Sequence, residues 1–466
     1  MLIKKYSVDK QHFYRITTYS SFIQIDYPCI LSGDNFRTPA IHDPPAKLKF
    51  LIYEDYSLID ELYLSKPTLG VLFLNKKIKI YCTRAVYKQI LLKYEEYKNM
   101  IVSYDFIEKN KCTYKTLDDA NIDLFEKCVV IISFNQRIYN NNIMFESIPA
   151  GTNLGWCNYL IHLPDNKSIF YVGSFKNGNR FAKPGNFVKS DYFILNTHYY
   201  DDIRHYQNIE SFNLIISNHK SSKCVIVIPI DFTRSFVDII FHILYLVEKK
   251  LVPIYIYSKI FNSLELNLNI QGELVSPTML ENANTMNDDV FCVKKYKYLE
   301  LIDDLSCLDN NQPKIVFVNE LTQIEPNDYL RVFKVEKTKN FVTYKNCEYF
   351  DLNLEEHNFD DLVDKEKLLF SDSDTVFIEY ENNIDLLIQP HLICNDLELY
   401  INGKLSYTDK NSKNVVVGEI ELTDHFIQKL FLDENPIILN NNTYVFTKNK
   451  IKLTIIDHSK HKIEYL

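Results

Sequence analysis

The sequence predicts a mixed α/β chain that ends in a β-rich segment, and three observations lead there. First, CVIVIPI (224–230) is a continuous apolar run, a helix follows over about 235–249, and VPIYIYS (252–258) comes next. Strand, helix and strand in that order read as a βαβ unit with a parallel pair, its strands buried on both faces. Second, short strand-like runs crowd the first 200 residues around a glycine-bearing loop, ESIPAGTNLG (146–155). Third, alternating runs and turn residues dominate from 376 to 466.

In chain order, residues 1–30 read as short strands, and FIQID (22–26) alternates until Pro28 stops it. KLKFLIY (47–53) is the next buried strand, and SLIDELYLS (57–65) reads as one or two helical turns. GVLFLN (70–75) and KIKIYCT (77–83) read as strands, and AVYKQILLKYEEYKN (85–99) as an amphipathic helix. Thr116 opens TLDDANIDLFEKC as a helix, with Asp119 answering the Thr116 hydroxyl in a capping box. VVIISF (129–134) and NIMFESI (142–148) read as a strand pair, and DYFILNTHYY (191–200) as a buried strand. PKIVFVN (313–319) and NFVTYKN (340–346) fit further strands. LELYINGKLSY (397–407) carries Asn402-Gly403 between alternating runs, a hairpin signal. TDHFIQKLFL (423–432) reads as a short helix, and 443–466 as three short strands.

The 466 residues suggest about three domains. With 46% hydrophobic and 24% charged residues, the chain can bury a large core. Ten cysteines lie scattered without a CxxC pair, which points to a reducing compartment, and no targeting peptide is expected. The most apolar stretch, FVDIIFHILYLV (236–247), is too short to span a bilayer. A net charge of −9 excludes a generally basic nucleic-acid binder. Residues 351–374 hold nine acidic and two basic side chains, as a solvated acidic linker does, so the rest is nearly balanced and leaves room for a local basic groove.

Five of the ten glycines fall within 151–185, where backbone needs positive φ or close approach. The side chains at the pivotal places are Thr152 and Ser174, neither of them His or Asp. The Walker, Rossmann, HExxH and GxSxG patterns are absent, as are cysteine pairs at zinc-ribbon spacing. His458 and His461 are three apart on an expected strand and so face opposite sides. His219 near Cys224, and His198, His205 and His242, read as ordinary polar or core residues.

The succession FIQIDYP, KFLIYEDYSLIDELYL, KIYCTRAVYKQ, IPAGTNLG, YVGSF and NTHYY resembles the metallo-β-lactamase fold of the β-CASP nucleases. Within that group the chain is most similar to the non-catalytic, hundred-kilodalton subunits of the cleavage and polyadenylation specificity factor. KTLDDANIDLFEK, the Ile148-Pro149-Ala150-Gly151 loop, 378–407 and the late VFTKNKIKL carry that similarity. The resemblance implies an αββα sandwich with an inserted β-CASP α/β domain and a small β-rich C-terminal domain. It divides the chain into 1–204 (first part of the sandwich), 205–320 (β-CASP-like), 321–375 (return to the sandwich, with the acidic linker) and 376–466 (dimerisation domain). The VPIYIYSKIFNSLEL segment is also similar to the inert β-CASP subunit of Integrator.

Active members carry His-x-His-x-Asp-His after the second buried strand. The resemblance sets those ligands on Tyr53, Asp55, Ser57 and Leu58, the third-motif His on Thr152, the bridging Asp on Ser174 and a further acid on Asn196. Only Asp55 is a good zinc ligand, so zinc binding and catalysis are expected to be lost and no cofactor is implied. The implied role is a nuclear, catalytically inert subunit of the mRNA 3′-end processing complex. It would pair through its C-terminal domain with the active β-CASP endonuclease paralogue, beside other processing subunits, with no membrane. TYVFT and KLTII are the strand edges expected to pair. Lys176, Arg180, Lys183 and Lys189 are candidate contacts to pre-mRNA phosphates. The long charged insertion of larger homologues, which carries a docking segment, is missing, and Asp26-Tyr27-Pro28 replaces a usual Asp-Cys-Gly. The competing expectation is an active hydrolase or nuclease using Asp55, Asp231 and Arg234, since Asp231 follows a parallel strand at its carboxyl end. Otherwise Arg234 pairs with Asp231 and tightens that loop.

Overall fold

The computed structural model describes residues 2–352 with interruptions at 9–10, 18–21, 33–35, 38–45, 53–58, 99, 105–112, 141–142, 164–165, 176–180, 197–206, 235, 248–251, 287–288, 292, 310, 323, 325–327, 336–346 and 351, and beyond 352 only the strands given below. Two sheets pack face to face in the first unit. One has seven strands in the order Val129–Ile132, Lys79–Thr83, Glu61–Tyr63, Phe22–Ile25, Gln11–Thr17, Leu2–Val8 and Thr375–Phe377. The first four pair parallel and the rest antiparallel. The other has five, Arg137–Asn140, Ile143–Pro149, Cys157–His162, Ser168–Val172 and Tyr192–Leu195. Between them Ile23, Ile25 and Tyr63 meet Phe145, Tyr159 and Tyr171, all buried. Tyr63 stacks on Phe145 with ring centroids 4.2 Å apart.

The outer face of the seven-stranded sheet is covered by helices. Leu62, Leu64, Ile80 and Cys82 form one apolar cluster with Val86 and Ile90 of α1 (Arg84–Tyr97) and Phe125 of α2 (Ile122–Cys128). The Thr83 hydroxyl caps α1 by accepting from Val86 N at 3.3 Å. On the outer face of the five-stranded sheet, Leu160, Phe170, Val172 and Phe193 pack with Phe175, Phe187 and Val188, and that cluster holds no helical residue. The second helical layer of the expected αββα sandwich is therefore replaced, among the described residues, by the connection after Gly173.

The second unit is a six-stranded, all-parallel sheet ordered Leu299–Leu301, Ile254–Tyr257, Lys314–Asn319, Val225–Ile230, Leu330–Lys334 and Cys347–Tyr349. One face buries Ile226, Ile228 and Phe317 with α3 (Ile209–Asn218), α4 (Phe236–Val247), α5 (Phe261–Ile270) and α6 (Pro277–Met286). The other buries Val225, Val227, Val316 and Val318. Burial on both faces explains why these strands are continuously apolar. Between Thr375–Phe377 and the end, seven antiparallel strands form one sheet, ordered His391–Cys394, Leu397–Asn402, Glu419–Leu422, His461–Tyr465, Ile451–Ile455, Thr443–Phe446 and Ile437–Asn440.

Several expectations are corrected. The stretch read as helical at 57–65 supplies the strand Glu61–Tyr63, and the strand-like 70–75 gives a 3₁₀ turn, Leu69–Phe73, capped by Thr68. Thr116 opens a 3₁₀ turn, Leu117–Asp119, with the capping box, and α2 starts anew after Asn121. Val129–Ile132 and Ile143–Pro149 do not pair, for each joins a different sheet. The two strands of the βαβ unit are parallel but not adjacent, because Lys314–Asn319 lies between them. The strand Lys49–Ile52 stands outside the sandwich, paired with Cys29–Ser32 and Thr113–Thr116. Leu330–Lys334 and Cys347–Tyr349 extend the parallel sheet, so the return to the first unit comes at Thr375–Phe377 and not at 321. Leu397–Asn402 pairs with His391–Cys394 and Glu419–Leu422, while Ser406–Tyr407 pairs with Val416–Val417, so Asn402 does not turn the expected hairpin. Thr443–Phe446 and Ile451–Ile455 are interior strands, and the edges of that sheet are His391–Cys394 and Ile437–Asn440. The strand expected at 340–346 and the helix expected at 423–432 lie outside the described residues.

Candidate functional site

The candidate site forms where the parallel strands Phe22–Ile25, Glu61–Tyr63 and Lys79–Thr83 end, facing the end of Ser168–Val172. The chain leaves Phe22–Ile25 through Asp26, which adopts φ of 60°. That left-handed turn is costly for a residue with a Cβ, and Asp is among the few that tolerate it. Here it is fixed by contacts. Asp26 N donates to Tyr63 O at 2.8 Å. The carboxylate accepts from Ser65 N at 2.8 Å, from the Ser65 hydroxyl at 2.6 Å and from the Tyr171 hydroxyl at 2.6 Å. Tyr171 in turn accepts from Asn196 Nδ2 at 2.7 Å. Asp26, Ser65, Tyr171 and Asn196 are all buried. Burial, and then the Asp26 charge, push the Tyr171 phenol well above its ordinary range, so it remains a donor.

The two glycine-bearing loops close on this centre. Gly151 and Gly155 have φ of 79° and 76°. A Cβ on Gly155 would stand 2.4 Å from Ala85 Cβ, and one on Gly173 would stand 2.5 Å from the Ser65 hydroxyl oxygen. The expectation of backbone needing positive φ or close approach is met at these positions. Thr152 and Ser174 are brought together, hydroxyl to hydroxyl, at 2.9 Å. Asn158 Oδ1 accepts from Gly173 N at 2.9 Å and Ser174 N at 3.4 Å, which sets the Ser174 loop.

Lys66 follows Ser65 into the site. Burial lowers its ammonium to about 8; the Asp26 charge resists this and the Arg234 charge adds to it. Arg234 comes from the second unit, on the loop after Val225–Ile230. The Asn153 amide, turned so that its NH₂ faces oxygens, donates to Arg234 O at 2.8 Å. Asp231, on that loop, is engaged by Lys93 of α1 at 2.5 Å, Arg234 at 3.3 Å, Thr233 N at 2.9 Å and the Thr233 hydroxyl at 2.6 Å. Burial pushes its carboxyl up, but Lys93 and then Arg234 outweigh that and hold it down at about 2. The loop-tightening pair of Arg234 and Asp231 is thus present, and the carboxylate is a bound structural anion.

Of the other expected positions, Tyr53, Asp55, Ser57 and Leu58 lie outside the described residues, as do Lys176 and Arg180. The strand that precedes them is in the side sheet, whereas the loop that reaches Asp26 is Ser65-Lys66-Pro67-Thr68, after Glu61–Tyr63. Ser65, Lys66, Tyr171 and Asn158 were missed by the sequence reasoning. The alternation in Glu61-Leu62-Tyr63-Leu64, followed by Ser-Lys-Pro, was the signal available. Lys183 is half-buried with its ammonium 5.9 Å from the Phe134 ring centre, and Lys189 is exposed. His219 and His242 are buried and bonded, to Lys314 O at 2.9 Å and Asn213 Oδ1 at 2.7 Å.

A dinuclear zinc centre needs several deprotonated N or O donors and a bridging carboxylate. The described residues do not fit it. Thr152 and Ser174 are neutral and bound to each other, and Asp26 is engaged three times. Among the described residues no group of three or more His, Cys, Asp or Glu is placed to hold a metal ion.

Residues 1–214 match the family described as "Putative beta-lactamase-like family". That supports a beta-lactamase-like fold for the first part of this mixed α/β chain. Among solved structures, a protein of unknown function from Enterococcus faecalis V583 is 11% identical with a TM-score of 0.34, over 72% of this chain and 80% of its own. A Cronobacter sakazakii metallo-β-lactamase with a HARLDQ motif is 14% identical with a TM-score of 0.20, over 35% of this chain and 55% of its own. No curated protein matches the chain.

Proposed function

We propose that this chain is a catalytically inert β-CASP-type subunit of the nuclear mRNA 3′-end cleavage and polyadenylation machinery. The observation that supports the reading is the Thr152–Ser174 hydroxyl pair, 2.9 Å apart on two loops where the resemblance would set a ligand histidine and a bridging aspartate. The residues around it serve structure. Asp26 holds two sheets together, and Asp231 is held by two cations. An active hydrolase built on Asp231 is disfavoured by the same contacts, since a carboxylate depressed to about 2 is a poor proton acceptor. The sheet over 391–465 would supply the contact with an active endonuclease paralogue, through its edge strands His391–Cys394 and Ile437–Asn440. Lys176, Arg180, Lys183 and Lys189 would touch pre-mRNA phosphates. Fold without chemistry is expected where another subunit cuts, because function resides in sites and not in folds.

The test is purification of the tagged native protein at moderate salt, with co-purifying chains identified by mass spectrometry. An intact-motif β-CASP nuclease together with poly(A) polymerase is the expected result. Integrator subunits would keep the inert reading and move the complex. A chain that emerges alone, with zinc bound and nuclease activity, would overturn it.

A further inference from the structure

The seam between the two units carries a buried carboxyl with no cation of its own. α1 packs on both sides: Val86, Ile90 and Tyr97 join the cluster of the first unit, and Ala85 and Leu92 that of the second. At its last turn α1 meets the carboxyl ends of Val225–Ile230 and Lys314–Asn319. Three acids converge there, Glu96 from α1, Asp231 and Glu320, all nine-tenths or more buried. Their partners are unequal. Asp231 takes Lys93 and Arg234. Glu320 accepts from the Tyr97 hydroxyl at 2.7 Å, and its N–H donates to Ile230 O at 3.1 Å. Glu96 adjoins the neutral Asn319 amide and faces both other carboxylates, and the nearby Lys93 ammonium is engaged by Asp231. Glu96 Oε2 and Asn319 Nδ2 are buried without a hydrogen-bond partner. An ionised group so placed would be uncompensated, whereas a neutral acid costs far less.

We propose that Glu96 is a proton-operated latch between the two units: as the neutral acid it docks α1 on the ends of Val225–Ile230 and Lys314–Asn319, and its ionisation loosens that seam. Among the described residues the facing groups are Lys93 and Tyr97 on α1, Asp231 and Arg234 on one loop, Asn319 and Glu320 at the other strand end, and Lys66 beyond Arg234. Burial, then Asp231, raise Glu96 to about 8, with Asn319 and Lys93 opposing. A carboxyl raised in the docked state adds stability that is complete below its ordinary range and is lost as pH rises to about 8, levelling beyond. Glu320 is raised by burial and by Asp231 and acts in the same direction. Asp231 titrates far below this window, and lowered Lys66 acts with opposite sign only above it.

The experiment is amide hydrogen exchange on the full chain from pH 5.5 to 8.5, read as protection factors along α1 and around Asn319–Leu321. For one linked proton the seam's opening constant rises by up to about tenfold per pH unit and then flattens. The expected result is that slope in the native chain, at least halved in Glu96→Gln and flat in Glu96→Gln/Glu320→Gln. Infrared difference spectra supply a readout that packing alone would not move: a protonated-carboxyl band that disappears near pH 8, is weakened in Glu96→Gln and is missing from Glu96→Gln/Glu320→Gln. Protection of α1 that is flat in the native chain, an unchanged slope in Glu96→Gln, or a band that is absent would each overturn the latch.

Discussion

The Tyr171 hydroxyl donates to the Asp26 carboxylate at 2.6 Å, and this bond ties the end of a strand in one sheet to the left-handed turn that leaves the other. Both side chains are buried, so the bond runs from a neutral donor to a charged acceptor with little water to compete. Tyr171→Phe keeps the ring and removes the donor. A loss of about 1.5–3 kcal/mol is expected from a hydrogen bond to a charged group. Urea unfolding of Tyr171→Phe, Asp26→Asn and the double variant checks it: the two losses should fall short of additive, as coupled groups do.

Two glycines of the loops around this centre are constrained differently, and their alanine variants should separate the causes. At Gly173 the added Cβ meets the Asp26-bound Ser65 hydroxyl at 2.5 Å and Ser65 Cβ at 3.0 Å, so crowding acts there without left-handed backbone strain. At Gly155 the Cβ meets Ala85 Cβ at 2.4 Å, and φ is 76°, so crowding and backbone strain combine. Overpacking costs about 1–3 kcal/mol, and the left-handed conformation adds about 1–2 kcal/mol. Gly155→Ala should therefore lower the thermal midpoint more than Gly173→Ala, which calorimetry reads directly.

Lys93 contributes to stability through Asp231. Its side chain is 17% exposed and that of Asp231 1%, so the pair is largely shielded from water. Lys93→Met removes one of the two cations on the buried carboxylate and leaves Arg234 and the Thr233 donors, and breaking a buried pair costs about 3–5 kcal/mol when nothing remains to compensate. A loss near the lower end, about 3 kcal/mol, is expected at neutral pH. The sign with pH follows from a depressed carboxyl. The native pair's stabilisation is complete above the ordinary carboxyl range and is lost as pH falls through about 2. The gap between native chain and variant should thus narrow from pH 4 to pH 2, and a gap independent of pH would show that Lys93 acts by packing.

Much of the second unit could be read from residues alone, since Val225–Ile230 and Lys314–Asn319 are apolar on both faces and nothing but a doubly covered sheet buries them so. What could not be read is which strands are neighbours. Lys314–Asn319 enters between Val225–Ile230 and Ile254–Tyr257, and parallel order is set by distant packing, not by local pattern. The candidate site was half legible. The glycine loops and the Thr152 and Ser174 positions came from composition and resemblance, and the structure brings them together. The partner loop was not legible, because Glu61–Tyr63 has only three strand residues beside a 3₁₀ turn and looks helical by content. The strand ahead of the expected ligand positions, Lys49–Ile52, lies instead in a side sheet. The Asn402-Gly403 signal failed for a related reason. Leu397–Asn402 already has an antiparallel neighbour on each side, His391–Cys394 and Glu419–Leu422, so the strand that follows Asn402 is not its partner.

The donor chemistry of the site makes one more prediction, and it bears directly on inertness. Thr152→His with Ser174→Asp places a neutral imidazole and a carboxylate at the two loop positions that share a hydroxyl–hydroxyl bond. Zinc in such a site takes at least three protein ligands. Asp26 will not serve as a further one, because Ser65 and Tyr171 occupy its oxygens and the Lys66 ammonium lies nearby, where a metal cation would be repelled. The double variant should therefore fold and still hold well under one zinc per chain after dialysis, measured by inductively coupled plasma mass spectrometry. Adding Lys66→His removes the competing charge and supplies a third donor, so any zinc gain should come with that change. Stoichiometric zinc in the double variant alone would mean that ligands besides these complete the site, and the inert reading would then fall.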